Sequence, residues 1–80
     1  MAFDMFQDAS LTVDLPQHGL VAGDVGTVVD RHTVADREDG YSVEFFDMTG
    51  RTVAVVTVPV SQLRPPTPAD RPSVRVLAGR

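Results

Sequence analysis

Two histidines, His18 and His32, and four serines are the side chains of this sequence best suited to metal binding, acid–base work or nucleophilic attack. A metal centre built on the histidines would recruit carboxylates such as Asp14 or Asp30, and Asp30 and His32 stand two residues apart, on one face of a strand. There is no His-x-x-His or His-Glu-x-x-His spacing and no cysteine to complete a ligand set, so both histidines read as structural or solvated. Ser10, Ser42, Ser61 and Ser73 lie in strands, a link and a tail, without a strand–turn–helix elbow to expose a nucleophile. Asp36, Glu38 and Asp39 fall on a charged loop tip, where solvation leaves no reason for a raised pKa. The expectation is a non-enzyme with no metal and no cofactor.

The stretch "GLVAGDVGTVVD", residues 19–30, offers a further chemistry, because glycine-rich loops can cradle phosphates. Such loops need a helix N-terminus behind them, and the P-loop needs a lysine. Here a valine-rich strand follows, and the chain has no lysine. Gly23 and Asp24 therefore read as a turn, and Gly26 as a place where the backbone bends or approaches a neighbour.

The elements that would position these groups are strands. Leu11, Val13 and Leu15 alternate with polar residues, predicting a half-buried strand from near Phe6, stopped by "PQHG" at 16–19. Strands follow at 25–34, 41–47 and 51–60, with a charged loop, "ADREDG", between the first two of these. "DMTG", residues 47–50, predicts a three-residue hairpin loop with Gly50 in the left-handed region and Asp47 paired with Arg51. Carried onward without interruption, that register sets Phe45 against Val53, Val43 against Val55 and Tyr41 against Thr57 on the core face. "VSQL" reads as a single 3₁₀ turn, and "LRP" as a last short strand. This order predicts an all-β fold, a small SH3-like barrel of four to five antiparallel strands over residues 1–64. Residues 65–80 read as a proline-rich, flexible tail.

Length and charge bound the function. Eighty residues make one small domain, and no apolar run is long enough for a membrane span. The N-terminus lacks a basic region and carries early aspartates, unlike a signal peptide, so the expected location is the cytoplasm. A net charge of −4 disfavours phosphate backbones, although four of the seven arginines lie from Arg64 onward.

"LTVDLPQHGLVAGDVGTVV" followed by "YSVEFFDMTGRTVAVVTVPVSQLR" resembles the bacterial family called domain of unknown function 4926 over residues 11–64. Leu15 and the longer charged insert at 34–40 depart from its pattern. The resemblance implies a small protein of the kind found as one half of a toxin–antitoxin or immunity pair. Residues 18–45 are also similar to the SH3-like part of the nitrile hydratase beta subunit, which supports a partner subunit without supplying metal ligands. The glycine–valine core resembles KOW domains as well.

The remaining feature is apolar. In the uninterrupted register Phe46, Ala54, Val56 and Val58 share the outer face of the hairpin, to be covered by Phe3 and Phe6, by a second copy or by a partner. These four residues are the expected interface. The leading expectation is a protein-binding module docking on a separately encoded partner, such as a basic enzyme or toxin, as an antitoxin- or immunity-type inhibitor or an accessory subunit. The second is an RNA- or ribosome-associated, KOW-like module using the arginine-bearing tail.

Overall fold

The computed structural model describes residues 3–33 and 35–70. Five strands form one antiparallel sheet: β1 (Asp8–Leu11), β2 (Val25–His32), β3 (Gly40–Phe46), β4 (Thr52–Pro59) and β5 (Leu63–Arg64). Their spatial order is β4-β3-β2-β1-β5. The sheet curls into a half-barrel around one core, the architecture of a small SH3-like barrel. No described helix is long and apolar enough to cross a membrane.

The expected turns are present. Pro16–His18 form a 3₁₀ turn closed by Gly19 at φ 71°, a conformation glycine adopts without a Cβ clash. Val60–Gln62 form a second 3₁₀ turn that leads into β5. At the hairpin tip Gly50 has φ 84°, and the Asp47 N–H donates to the Arg51 carbonyl at 2.9 Å. The Asp47 carboxylate holds this turn, accepting from the Thr49 hydroxyl (2.7 Å), the Thr49 N–H (2.9 Å) and the Arg51 N–H (3.0 Å). Those bonds, the Thr49 hydroxyl first, hold its carboxyl below the usual carboxylate range.

β1 is shorter than its alternation predicts. The Leu11 carbonyl accepts from the Gly23 N–H, and the Thr12 N–H donates to the Gln62 carbonyl, so crossing segments take these groups from the β1 ladder. Leu15 survives as an isolated bridge to Leu20.

Beyond the tip the register differs from the uninterrupted one. Phe46 pairs with Thr52, but Phe45 pairs with Ala54, Val43 with Val56 and Tyr41 with Val58. Val53 is the extra residue of a β-bulge, and it moves every later β4 side chain to the opposite face. The core therefore contains Tyr41, Val43 and Phe45 from β3, with Val56 and Val58 from β4. Phe3 closes one end. Its ring meets Tyr41 edge-on at 5.6 Å, and its N–H donates to the Tyr41 hydroxyl at 3.1 Å. That places Phe3 in the core rather than over the outer face, while Phe6 stands exposed at φ 64°.

Gly26 is the point of closest approach. A Cβ there would lie 2.7 Å from both the Glu44 carbonyl and Val43 Cγ1, so β2 and β3 pack this closely only around a glycine.

Candidate functional site

The outer face of the hairpin is where the expected interface lies, and β4 forms one edge of the sheet. Along β4 the positions facing outward are Val55 and Thr57, not Val56 and Val58. Val55 is 55% exposed, whereas Val56 and Val58 are 5% and 4% exposed. The expected strip of Phe46, Ala54, Val56 and Val58 is therefore divided. Phe46 stays half-buried beside the tip, Ala54 packs against the core, and the two valines lie within it. The cause is the bulge at Val53, which acts as a one-residue slip. Phe46, Val53 and Val55, with the 72% exposed Met48 at the tip, are the apolar residues left accessible there.

The orientation of the β4 backbone follows from the ladder. The Val28 N–H donates to the Gln7 carbonyl, and its carbonyl accepts from the Phe6 N–H, so both groups point away from β3. Val28 is registered with Val43, whose own groups then point toward β4 and Val56. Alternation turns the N–H and C=O of Val55 and Thr57 to the open side of β4. Among the described residues no strand pairs with that side.

A polar chain crosses the same face. His32 Nε2 lies 2.9 Å from Ser42 Oγ, which lies 2.8 Å from Thr57 Oγ1. Asp30 is close, but its carboxylate sits 3.8 Å from the same Nε2 that meets Ser42. A catalytic relay needs the carboxylate on the opposite ring nitrogen, orienting the base toward the hydroxyl, and this geometry does not provide it. Beside the chain, an open cleft of about 540 Å³ is lined by His32, Arg37, Glu38, Gly40, Thr57, Val58 and Pro59.

The remaining sequence candidates are dispersed. His18 lies in the first 3₁₀ turn, and Asp14 accepts the Ala22 N–H at 2.9 Å. Glu38 bonds the Ser61 N–H and hydroxyl, at 2.7 and 3.1 Å. Asp39 pairs with Arg31 at 2.6 Å; the hydrogen bond, then the charge, raises the guanidinium above its ordinary value. No group of three His, Asp or Glu side chains suited to a metal occurs among the described residues. Ser10 is fully buried, with a hydroxyl that has no hydrogen-bond partner. Ser73 lies outside the described residues, as do Arg71, Arg75 and Arg80 of the tail. The association of Ser42 and Thr57 with His32 was not read from the sequence, although the pairing of a 25–34 strand with a 41–47 strand carried its signal.

Comparison with known proteins gives one match. No curated protein matches the chain, and no solved structure does. Residues 5–65 match the family described as "Domain of unknown function (DUF4926)", which takes in every described strand, and the chain belongs to that family.

Proposed function

We propose that the protein is a non-catalytic, cytoplasmic binding module that docks on a separately encoded basic protein, as an antitoxin- or immunity-type inhibitor or as an accessory subunit. The observation that carries this reading is the apolar surface at the end of the β3–β4 hairpin, Phe46, Met48, Val53 and Val55, set on a strongly acidic barrel. The described residues hold all eleven carboxylates of the chain against four arginines, a net of −7. Apolar contact supplies affinity, and the acidic field speeds encounter with a basic partner.

The test captures partners from the native host with wild-type protein and with Val55→Glu, then reconstitutes the complex from purified components. The reading expects a basic protein that binds wild type, loses affinity as salt rises and fails to bind Val55→Glu. Equal capture by both proteins would remove the hairpin surface from the account. Retention of ribosomal particles by both would replace this reading with the RNA-associated one.

A further inference from the structure

The open edge of β4 can be matched to an occupant through its own backbone. β4 runs for eight residues, "TVAVVTVP", without a charged side chain. The bulge at Val53 and the proline at its last position confine the regular edge to the residues between them, and no lysine or inward charge interrupts that stretch. Val55 and Thr57 direct N–H and C=O groups outward, and residues with that spacing are self-complementary about a two-fold axis.

We infer that β4 pairs antiparallel with β4 of a second copy of this chain, centred on Val56, to make one continuous sheet. In this register Val55 faces the second copy's Thr57, and Thr57 faces its Val55. Each such pair exchanges both N–H···O bonds. Registers centred on Val55 or on Thr57 allow only one such pair among these residues. Because the axis is perpendicular to the sheet, outward side chains meet outward side chains and the two cores stay on the same side.

The ends of the strand agree in charge. Arg51, just before β4, is exposed and has no ion-pair partner among the described residues. The two-fold axis carries it toward the end of the second copy's β4, where the Val60–Gln62 turn begins and that copy's Glu38 carboxylate is anchored by the Ser61 N–H and hydroxyl. A guanidinium whose charge otherwise acts on Asp47 and a positioned carboxylate of opposite sign therefore lie at each end of the junction. Beyond this contact the two barrels carry like net charge, so added salt screens repulsion between them.

This pairing uses the β4 backbone, and the proposed docking surface uses hairpin side chains, so the two fail separately. The experiment is sedimentation velocity on the full chain over a wide concentration range, with thermal melts of every variant. Wild type is expected to form a dimer that strengthens with salt, opposite in sign to docking on a basic partner. Thr57→Pro removes an edge N–H without touching the bonds to β3 and is expected to lose the dimer while still melting cooperatively. Thr57→Val keeps the N–H and is expected to keep the dimer, which excludes the lost hydroxyl as the cause. Val55→Glu is expected to dimerise while failing to dock.

The register is read by cysteine, because the chain has none of its own. Val55→Cys mixed with Thr57→Cys is expected to form the mixed disulfide, since facing residues about 5.5 Å apart at Cα lie within disulfide reach. Neither variant alone is expected to cross-link comparably. A wild-type chain that stays monomeric throughout, a dimer untouched by Thr57→Pro, or equal cross-linking by the single variants would each overturn the inference.

Discussion

The two edges of the sheet are built in opposite ways. β5 is two residues long and is followed at once by Pro65 and Pro66. The Arg64 guanidinium, at the end of β5, makes a two-pronged contact with Asp70, at 2.7 and 2.9 Å, and Asp70 also accepts the Thr67 N–H. Shortness, proline and a folded-back segment close this edge. β4 is four times as long, uncharged and, among the described residues, open on its outer side. One sheet thus contains a short, proline-blocked edge and a longer one whose bulge and proline stand only near its ends. The pairing inferred for β4 uses the edge that lacks these features among the described residues.

The largest effect expected from this comparison separates adjacent residues of β4. Val56→Glu places a carboxylate in the core without a partner, a cost of several kcal/mol. A small domain holds only about 5 kcal/mol in total at the low end, so the variant is expected to be unfolded at 25 °C. Val55→Glu changes an exposed side chain and is expected to move the melting temperature little. Circular dichroism and thermal melts of the two variants check both statements. The reverse ranking would restore the uninterrupted register and with it the outward Val56.

Next in size is Gly26→Ala on β2, where the curvature that separates the two edges depends on close packing against β3. The added Cβ meets backbone as well as side chains, so relief requires strand movement. A cost of about 1–3 kcal/mol is expected, measured by urea denaturation. An unchanged midpoint would mean that the strands part without penalty and that the curl of the sheet is not fixed at this point.

These residues also show how far the sequence could be read. Asp47 and Gly50 announced the hairpin tip because their roles are local: a carboxylate capping nearby N–H groups and a backbone at positive φ. The bulge at Val53 left no such mark. In "TVAVVTV" the uninterrupted register buries Val53, Val55 and Thr57, and the bulged one buries Ala54, Val56 and Val58. Both sets are small and mostly apolar, so hydrophobic alternation barely distinguishes them. What decides is three-dimensional, as Val58 rather than Thr57 lies opposite Tyr41 in the core. β1 was overestimated for a similar reason, since its hydrogen bonds end where distant segments claim them. Strand order and turns were legible, whereas the outward face of the candidate site depended on a bulge that the residue types did not announce.

Ser10 tests the closed side. It lies on β1, registered with Val25 of β2 and Arg64 of β5, and its hydroxyl is buried without a partner. Ser10→Ala removes an unsatisfied group with little change of volume. It is expected to be neutral or stabilising by up to about 1 kcal/mol in urea denaturation. A clear loss of stability would show that the hydroxyl is engaged.

The smallest effect expected is at Asp70, and its sign is set by protonation. The hydrogen bonds from Arg64, then that from the Thr67 N–H, hold the Asp70 carboxyl far below the usual carboxylate range, while the same contact raises the Arg64 guanidinium. A carboxyl depressed in the folded state binds its proton more weakly there than in the unfolded chain. Its contribution to stability is therefore complete above the unfolded value, about 3.9, and is lost as pH falls through the folded one. Asp70→Asn is expected to be slightly less stable than wild type at pH 7, with a difference that narrows progressively below about pH 4. Asp47, also depressed, is present in both proteins and drops out of the difference. Hydrogen exchange gives the local counterpart: loosening the folded-back segment should raise exchange near Leu63 and Arg64 and leave Val55 and Thr57 unchanged. A stability difference that is constant down to pH 2, or faster exchange at β4 instead, would mean that Asp70 does not close the β5 edge, and the contrast between the two edges would then rest on strand length and proline alone.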